Sequence, residues 1–324
     1  MHFFVHIPKT AGTSFRVAAE RWFSPEKVAY DYGEESPVTT ACVHRYMYEG
    51  EAEDKAGLRR HWEQQGMQLV AGHKAVGRYL DLVGVTRALT FVREPLARAF
   101  SAYLHFRREH GFEGSFREFV ENPNHQNVHA ALLGSISLRA LGFVGLTEQY
   151  RKSLQLINYQ YGWKLRHKRR NRSGFFQPGP ESVSEEDKAL FRRLNGKDYA
   201  LYADAEWYFN LRRDLAENKL PFAHAEIEKA EPGMVAGWAW WECYDNYSDR
   251  PVQIEIRIND KKVKTVSADQ PRKAWERHGA PNQGCVGFQA RIDAAKGDRL
   301  TCRVAETGQP LMPAPVELQE KAAA

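Results

Sequence analysis

Three short segments of this sequence combine residue types that could bind an anion and move a proton. The first is the loop Pro8–Ser14, which follows the apolar run Phe3–Ile7 and precedes a helical pattern. A glycine at such a bend lets backbone N–H groups approach a phosphate, and the dipole of the following helix favours negative charge there. Lys9 adds a positive charge, and Thr13 and Ser14 add hydroxyl donors. The loop therefore predicts a phosphate cradle.

The loop differs from the Walker A loop of nucleoside triphosphatases. In that motif the lysine follows the last glycine, whereas here Lys9 precedes Gly12. A nucleotide kinase or NTPase built on a similar loop stays open as an alternative, and so does an ordinary glycine turn with a surface lysine. Mg²⁺-dependent hydrolysis of ATP would favour the first of these.

The second segment begins where the apolar run Ala88–Val92 ends. Arg93 follows this predicted strand, and Pro95 suits the first turn of a helix that carries Ser101 about two turns further on. In an open parallel sheet, ligands bind beyond the carboxyl ends of the strands. Arg93 could bind a phosphate there in a bidentate manner, and Ser101 could donate its hydroxyl to the same group.

The third segment supplies a candidate base. An apolar run ends in Gly-His at His73, and an imidazole titrates near neutral pH. The alternative for His73 is a structural role at the end of a strand. His129 is a second candidate base, and Glu94 and Glu148 could act as carboxylate bases, although we expect both carboxylates to pair with arginines. We expect His6 to hold the loop.

Alternating strands and helices over the first two thirds of the chain predict an α/β domain with a central parallel sheet and helices on both faces. Predicted strands are Phe3–Ile7, Met67–Ala71, Ala88–Val92 and Phe143–Val144. Predicted helices are Thr13–Trp22, Pro95–Arg108, Ser115–Glu121, Glu148–Tyr161, Ser184–Leu194 and Tyr199–Glu217. We expect residues 31–60, which are polar and irregular, to form a long surface insertion.

The pattern changes near Pro221, where strand alternation replaces helical periodicity. Alternation is clearest in Val252–Ile258, and Asn259-Asp260 predicts a hairpin turn before the next strand. About six short strands in some 100 residues predict a small all-β sandwich. We interpret the aromatic cluster Gly237–Trp241 as its packed centre, with a sugar-stacking platform as the alternative. The expected domains are 1–220 and 225–318.

Composition and charge narrow the class of protein. Hydrophobic residues make up 43% of the chain and charged residues 27%, as in ordinary globular proteins. No apolar run approaches the ~18 residues that cross a bilayer, and without a leader sequence we expect a cytoplasmic protein. The four cysteines lack zinc spacing and should be reduced.

Residues 1–224 carry 32 Lys and Arg against 26 Asp and Glu, which points to an anionic ligand in this part.

Together, the segments His6–Ser14, Phe91–Pro95 with Ser101, and Gly142–Glu148 resemble sulfotransferases that use 3′-phosphoadenosine 5′-phosphosulfate (PAPS). The resemblance covers about residues 1–215. It is strongest to the carbohydrate branch that includes the uronyl 2-O-sulfotransferases and their bacterial relatives, and it implies a P-loop-like three-layer fold. The β-rich tail lies outside it.

This resemblance implies roles for individual residues. The first loop, with Lys9, Thr10, Gly12, Thr13 and Ser14, would bind the 5′-phosphosulfate. Arg93 and Ser101 would bind the 3′-phosphate, Lys9 would stabilise the leaving group, and His73 would be the base. Members of the family close a basic loop over the nucleotide, and Arg170 and Arg172 lie in such a segment. Adenosine 3′,5′-bisphosphate would be the product, and no metal is required.

The expected partner is a carbohydrate acceptor, and the basic front of the chain is compatible with an acidic one. A nucleic-acid partner is not expected, because no aromatic residues interleave with the charges of Lys164–Arg172. A noncatalytic glycan-binding protein on the same fold is the remaining alternative. Nothing in the sequence indicates the oligomeric state.

Overall fold

A computed structural model describes residues 1–134, 136–167, 179–242 and 250–319. The chain forms two compact units. One comprises Met1–Val83 with Arg87–Phe209, and the other comprises Gly84–Thr86 with Asn210–Ala324. Within the described ranges, no helix has the length and apolar character needed to cross a membrane.

The first unit is built on a five-stranded sheet in which all strands are parallel, in the order β2-β3-β1-β4-β5. The strands are β1 His2–Val5, β2 Val28–Asp31, β3 Leu69–Gly72, β4 Ala88–Val92 and β5 Phe143–Leu146. The helices are α1 Gly12–Phe23, α2 Ala41–Met47, α3 Lys55–Gln64, α4 Leu80–Val83, α5 Pro95–Glu109, α6 Phe116–Glu121, α7 Val128–Leu133, α8 Tyr150–Tyr161, α9 Glu185–Leu194 and α10 Gly196–Glu217, whose last residues belong to the second unit. The α/β class with a central parallel sheet is confirmed.

The central strands consist of short apolar runs because both of their faces are covered. Every residue of β3, β4 and β5 is buried, which is the pattern of a parallel sheet packed on both sides. Thr90 is the polar exception in β4, and its hydroxyl donates to the carbonyl of Val5 at 2.7 Å. This bond adds to the pairing of β4 with β1.

The prediction of an irregular insertion over residues 31–60 is wrong. This stretch begins at the end of β2 and contains α2 and the first part of α3. The strand β2 lies at the edge of the sheet, and side chains complete its outer hydrogen bonds. Thr40 Oγ1 accepts from the Tyr30 amide at 2.8 Å, and Thr39 Oγ1 accepts from the Tyr32 amide at 3.1 Å. A four-residue edge strand completed by threonines has little hydrophobic pattern to detect.

The second unit contains two antiparallel four-stranded sheets, in the orders β10-β11-β7-β6 and β13-β12-β8-β9. Their strands are β6 Ala223–Glu231, β7 Met234–Trp241, β8 Gln253–Ile258, β9 Lys261–Ser267, β10 Gln270–Pro271, β11 Cys285–Arg291, β12 Arg299–Val304 and β13 Val316–Glu317, and its helix is α11 Lys273–Arg277. Both sheets contribute to one core, which includes Val235 and Phe288 from the first and Ile254 and Ile256 from the second. The predicted sandwich is confirmed.

One local prediction in this unit is confirmed, and a second, the packed centre at Gly237–Trp241, is confirmed only in part, because Trp241 lies in the core that the two sheets share whereas Trp238 and Trp240 pack against Trp275. Asn259 and Asp260 both have positive φ and connect β8 to β9 as a hairpin turn. The tryptophans of β7 are buried: Trp238 stacks on Trp240 at 4.5 Å, and Trp275 of α11 lies 4.7 Å from Trp238. These rings are part of the packed interior and do not form an exposed sugar platform.

The cysteines that the structure describes are free thiols. They are Cys42, Cys285 and Cys302. Cys243 lies outside the described residues.

Gly72 permits the close approach of β3 to β2, and replacing it should destabilise the first unit. A Cβ at position 72 would lie 2.0 Å from the carbonyl oxygen of Asp31, a backbone atom that cannot move independently of its strand. We expect Gly72→Ala to lower the free energy of unfolding by about 3 kcal/mol in urea titrations. Gly196→Ala is the matched control, because nothing lies within 4 Å of its added Cβ. Equal stability of the two variants would contradict the close packing.

Candidate active site

The parallel sheet brings the predicted functional segments to one edge. The strand β1 lies in the middle, between β3 and β4. The loop after β1, His73 after β3 and Arg93 after β4 therefore follow three adjacent strands at their carboxyl ends. Ligands of open parallel sheets bind at this edge.

The loop between β1 and α1 presents backbone amides at the start of the helix. Lys9 and Ala11 have positive φ values of 69° and 66°. Ala11 is the N-cap residue of α1, and it makes no side-chain cap. Among the residues that the structure describes, the N–H groups of residues 10–13 have no protein acceptor. Turned backbone at a helix start, with its amides unpaired in this way, is an arrangement that binds anions.

Buried side chains hold this loop in place. Phe15, in the first turn of α1, packs against Phe4 of β1 at 4.3 Å and Phe91 of β4 at 5.6 Å between ring centroids. Thr10 is completely buried, and its hydroxyl donates to the carbonyl of Ile7 at 2.8 Å. Thr10 can therefore offer a ligand its backbone amide, while its hydroxyl fixes the loop.

Gly12 is required where the ring of His6 packs against the loop. A Cβ at this position would lie 2.0 Å from Nε2 of His6. The next two residues, Thr13 and Ser14, are exposed at the start of α1. Their side chains are therefore accessible to solvent.

Arg93 contacts the loop between β1 and α1 directly. Its Nη1 donates to the carbonyl of Lys9 at 3.2 Å, which ties the end of β4 to the loop after β1. Burial lowers the pKa of Lys9, and the positive charges of Arg108 and Arg93 lower it further, against a smaller opposing effect of Glu109. A bound anion would relieve this repulsion between like charges.

The helix α5 extends the positive surface beside Lys9. It begins at Pro95, and the Glu94 carboxylate caps it by accepting from the Ala97 amide at 2.6 Å. Ser101, which is partly buried, shares one helix face with His105 and Arg108 at the i, i+4, i+7 spacing. Both of the latter are electrostatic neighbours of Lys9. Neither residue was predicted from the sequence, although their spacing from Ser101 could have revealed them.

His73 lies in a cluster of three rings next to the loop. Its ring centroid is 4.5 Å from that of His6 and 4.8 Å from that of Tyr32. A hydrogen bond of 2.8 Å joins Nδ1 of His6 to the hydroxyl of Tyr32. Although His73 is exposed, loss of solvent on the side of these rings, together with the charge of Lys74, lowers its pKa to about 4. His73 is therefore neutral at pH 7 and able to accept a proton.

A buried carboxylate that the sequence analysis missed organises the strand ends beside this cluster. Asp31 is completely buried and accepts hydrogen bonds from the hydroxyls of Tyr48 at 2.5 Å and Tyr79 at 2.6 Å. Lys74 Nζ and Arg78 Nε lie 3.7 and 3.5 Å from its oxygens. These partners come from separate parts of the chain, so no local sequence pattern predicts the contacts of Asp31.

The other candidates have structural contacts or lie outside the described residues. Glu148 Oε1 accepts from the backbone amide of Glu94 at 2.9 Å, and the Glu94 carboxylate accepts from the amide of Ala97. His129 is completely buried. Arg170 and Arg172 lie outside the described residues. Within the described part of the chain, no group of three or more His, Cys, Asp or Glu side chains could hold a metal ion.

Comparisons with known proteins give a distant likeness. No protein-family model matches the chain, and no curated protein matches it. One solved structure, the crystal structure of a sulfotransferase from Alicyclobacillus acidocaldarius, aligns over 63% of this chain and 95% of its own, with 18% identity and a TM-score of 0.31. A likeness this distant does not assign a function, which we therefore argue from the site.

His6 should make the stability of the fold sensitive to acid. Burial, followed by the nearby His73 and Arg16, lowers its pKa to about 3, against 6.5 in the unfolded chain. Because the unfolded chain takes up the proton first, stability is complete above pH 6.5 and is lost as the pH falls towards 3. We expect His6→Gln to reduce this loss by about 1.4 kcal/mol per pH unit within that window, measured by urea unfolding at several pH values.

An exposed histidine provides the control for this measurement. His110→Gln, at the end of α5, should leave the dependence of stability on pH unchanged. Parallel curves for the wild type and His6→Gln would contradict the burial of an uncharged imidazole at position 6.

Proposed function

We propose that this protein transfers a sulfuryl group from PAPS to a hydroxyl group of a carbohydrate. The observation that carries the proposal is the hydrogen bond from Arg93 to the carbonyl of Lys9, which joins the phosphate loop to the end of β4. In the family that the sequence resembles, these two segments bind the two phosphorylated ends of the donor.

The charges and amides at the sheet edge fit a donor with two anionic groups. The unpaired amides of residues 10–13 and the exposed hydroxyls of Thr13 and Ser14 would hold the 5′-phosphosulfate. Arg93 and Ser101 would hold the 3′-phosphate. The positive groups around Lys9 supply the matching charge without a metal ion.

In the proposed reaction the oxygen of the acceptor hydroxyl attacks sulfur, and the bond between sulfur and the phosphate oxygen breaks. The acceptor proton passes to His73, and adenosine 3′,5′-bisphosphate leaves with the electron pair. Lys9 would offset the negative charge that develops on the leaving oxygen. His73 is a weak base in the free protein, and a neighbouring anionic donor would raise its pKa towards neutrality.

The proposal also covers the acceptor and the roles of the two domains. We assign donor binding and catalysis to residues 1–220, and binding of the acceptor or assembly to residues 225–318. The excess of Lys and Arg in the first 224 residues suits an acidic carbohydrate. The buried tryptophans of β7 cannot serve as the carbohydrate surface of the second domain.

Ligand-dependent melting tests the donor. Adenosine 3′,5′-bisphosphate at 100 times its dissociation constant should stabilise the fold by about 2.7 kcal/mol and raise the melting temperature. ATP with Mg²⁺, under the same conditions, should have a much smaller effect. A shift with ATP and none with the bisphosphate would replace the proposal with a kinase or NTPase, and binding of a polysaccharide without either nucleotide would favour a glycan-binding protein.

Three substitutions separate binding from chemistry. Arg93→Ala should weaken bisphosphate binding about 10-fold to 100-fold, because a charge-assisted hydrogen bond to phosphate is lost. Lys9→Ala should reduce turnover of PAPS much more than binding, and His73→Ala should reduce turnover alone. Calorimetry measures binding of the bisphosphate. Turnover is measured as release of the bisphosphate from PAPS in the presence of an unsulfated carbohydrate acceptor.

An exposed arginine of α9, Arg193, provides the control for these variants. Arg193→Ala removes the same charge as Arg93→Ala and should change neither binding nor turnover. Near-normal turnover of His73→Ala would remove His73 from the mechanism while leaving the donor site intact.

A further inference from the structure

A buried chain of hydrogen bonds leads away from the candidate donor site and begins at Arg93. The backbone N–H of Arg93 donates to Nε2 of His129 at 3.3 Å. Arg93 is the first residue after β4, so its amide lies just beyond the strand pairing. His129 belongs to α7 and is completely buried, which excludes it as a base that contacts an acceptor.

The contacts of His129 define its tautomer. Since Nε2 accepts a hydrogen bond, it carries no proton, and Nδ1–H donates to Oδ2 of Asp198 at 2.9 Å. Burial lowers the pKa of His129 and outweighs the opposing effect of the Asp198 carboxylate. The imidazole is neutral, as acceptance at Nε2 requires.

Asp198 is itself held by a reciprocal arrangement of two helix starts. Its carboxylate accepts from the backbone amides of His129 at 3.2 Å and Ala130 at 2.9 Å, in the first turn of α7. In return, the side-chain oxygen of Asn127, the N-cap residue of α7, accepts from the amides of Lys197 at 3.1 Å and Asp198 at 3.3 Å, in the first turn of α10. Each helix start thus caps the other, and the Asp198 carboxylate offsets the positive ends of both dipoles.

The groups around His129 include an ionised carboxylate, Asp198, and a cation, Arg98. Burial would raise the pKa of Asp198, but its hydrogen bonds with His129 and Ala130 lower it below the usual value. Arg98 of α5 lies nearby, and although burial lowers its pKa to about 10, it remains a cation at pH 7. Glu148 also affects His129, and its carboxylate raises the pKa of the imidazole.

We propose that His129, oriented by Asp198, is a positioning residue that sets Arg93 to bind the 3′-phosphate of the donor. This inference rests on the proposed function. The backbone of Arg93 is fixed on one side by His129, while its guanidinium is fixed on the other by the carbonyl of Lys9. Loss of the acceptor at Nε2 removes this hydrogen bond from the backbone of Arg93, and the end of β4 shifts. The guanidinium of Arg93 is then displaced from the position in which it would bind the 3′-phosphate.

Two substitutions of His129 separate this role from general support of the fold. Asparagine places its amide near the position of Nδ1, so His129→Asn keeps a donor for Asp198 and loses the acceptor for Arg93. Glutamine reaches the position of Nε2, so His129→Gln keeps the acceptor for Arg93. His125→Gln is the control: its ring stacks on Phe119 of α6 and contacts the Phe119 carbonyl.

The measurement is the ratio of affinities for adenosine 3′,5′-bisphosphate and adenosine 5′-phosphate, by calorimetry. The wild type should prefer the bisphosphate, and His129→Asn should weaken bisphosphate binding about 10-fold while affinity for the monophosphate stays within about threefold. His129→Gln should restore bisphosphate affinity to within about threefold of the wild type. The His125→Gln control should match the wild type for both ligands.

The outcomes distinguish this inference from the proposed function. If the wild type prefers the bisphosphate and His129→Asn keeps the preference, or loses affinity for both ligands equally, the inference is overturned and the donor site stands. If the wild type does not prefer the bisphosphate, the proposed function fails and the inference fails with it.

A measurement on the unmutated protein covers the case in which His129→Asn does not fold. Nitrogen-15 NMR of histidine-labelled wild type at pH 7 should show His129 protonated at Nδ1 and unprotonated at Nε2. The opposite tautomer, or a doubly protonated ring, would overturn the inference, because neither can accept the Arg93 N–H.

Discussion

The parallel pairing of β1 with β3 on one side and β4 on the other is the constraint on which the candidate site depends. His2–Val5 pairs with Leu69–Gly72, and Phe3–Val5 pairs with residues 88–90. Parallel strands leave the sheet at the same edge, so segments separated by more than 60 residues emerge side by side. The Arg93 bond to Lys9 is possible only because these strand ends are neighbours.

Several basic side chains lie at this edge of the sheet, and their surroundings lower the pKa values of some of them. Lys9 lies among other cations, which lowers its pKa. The two histidines beside the loop, His6 and His73, are kept neutral by loss of solvent, so they add no further repulsion at pH 7. A site of this kind is poorly compensated without a ligand and favours an anion that brings several charges at once.

Two buried carboxylates, Asp31 and Asp198, hold the residues that surround the site, one on each side of β1. Asp31 accepts from two tyrosines and lies near two cations at the ends of β2 and β3, close to the candidate base. Asp198 accepts from His129 and the first amides of α7, and through His129 it reaches Arg93. A buried carboxylate is costly unless several donors satisfy it, and here these donors are the groups that hold the strand ends.

Local patterns in the sequence determined the loop between β1 and α1, the strand that leads into Arg93 and Pro95, the hairpin at Asn259-Asp260 and the sandwich of the second unit. Each depends on residues within a few positions of one another, where backbone geometry and side-chain alternation are encoded directly. Only the tertiary structure decided that β2 is an edge strand, that the Thr10 hydroxyl serves the loop, and that Asp31 and His129 support the site. The tyrosines that donate to Asp31 lie 17 and 48 residues from it, and Asp198 lies 69 residues from His129. No local pattern specifies such contacts, because they form only when the sheet has brought the strand ends together.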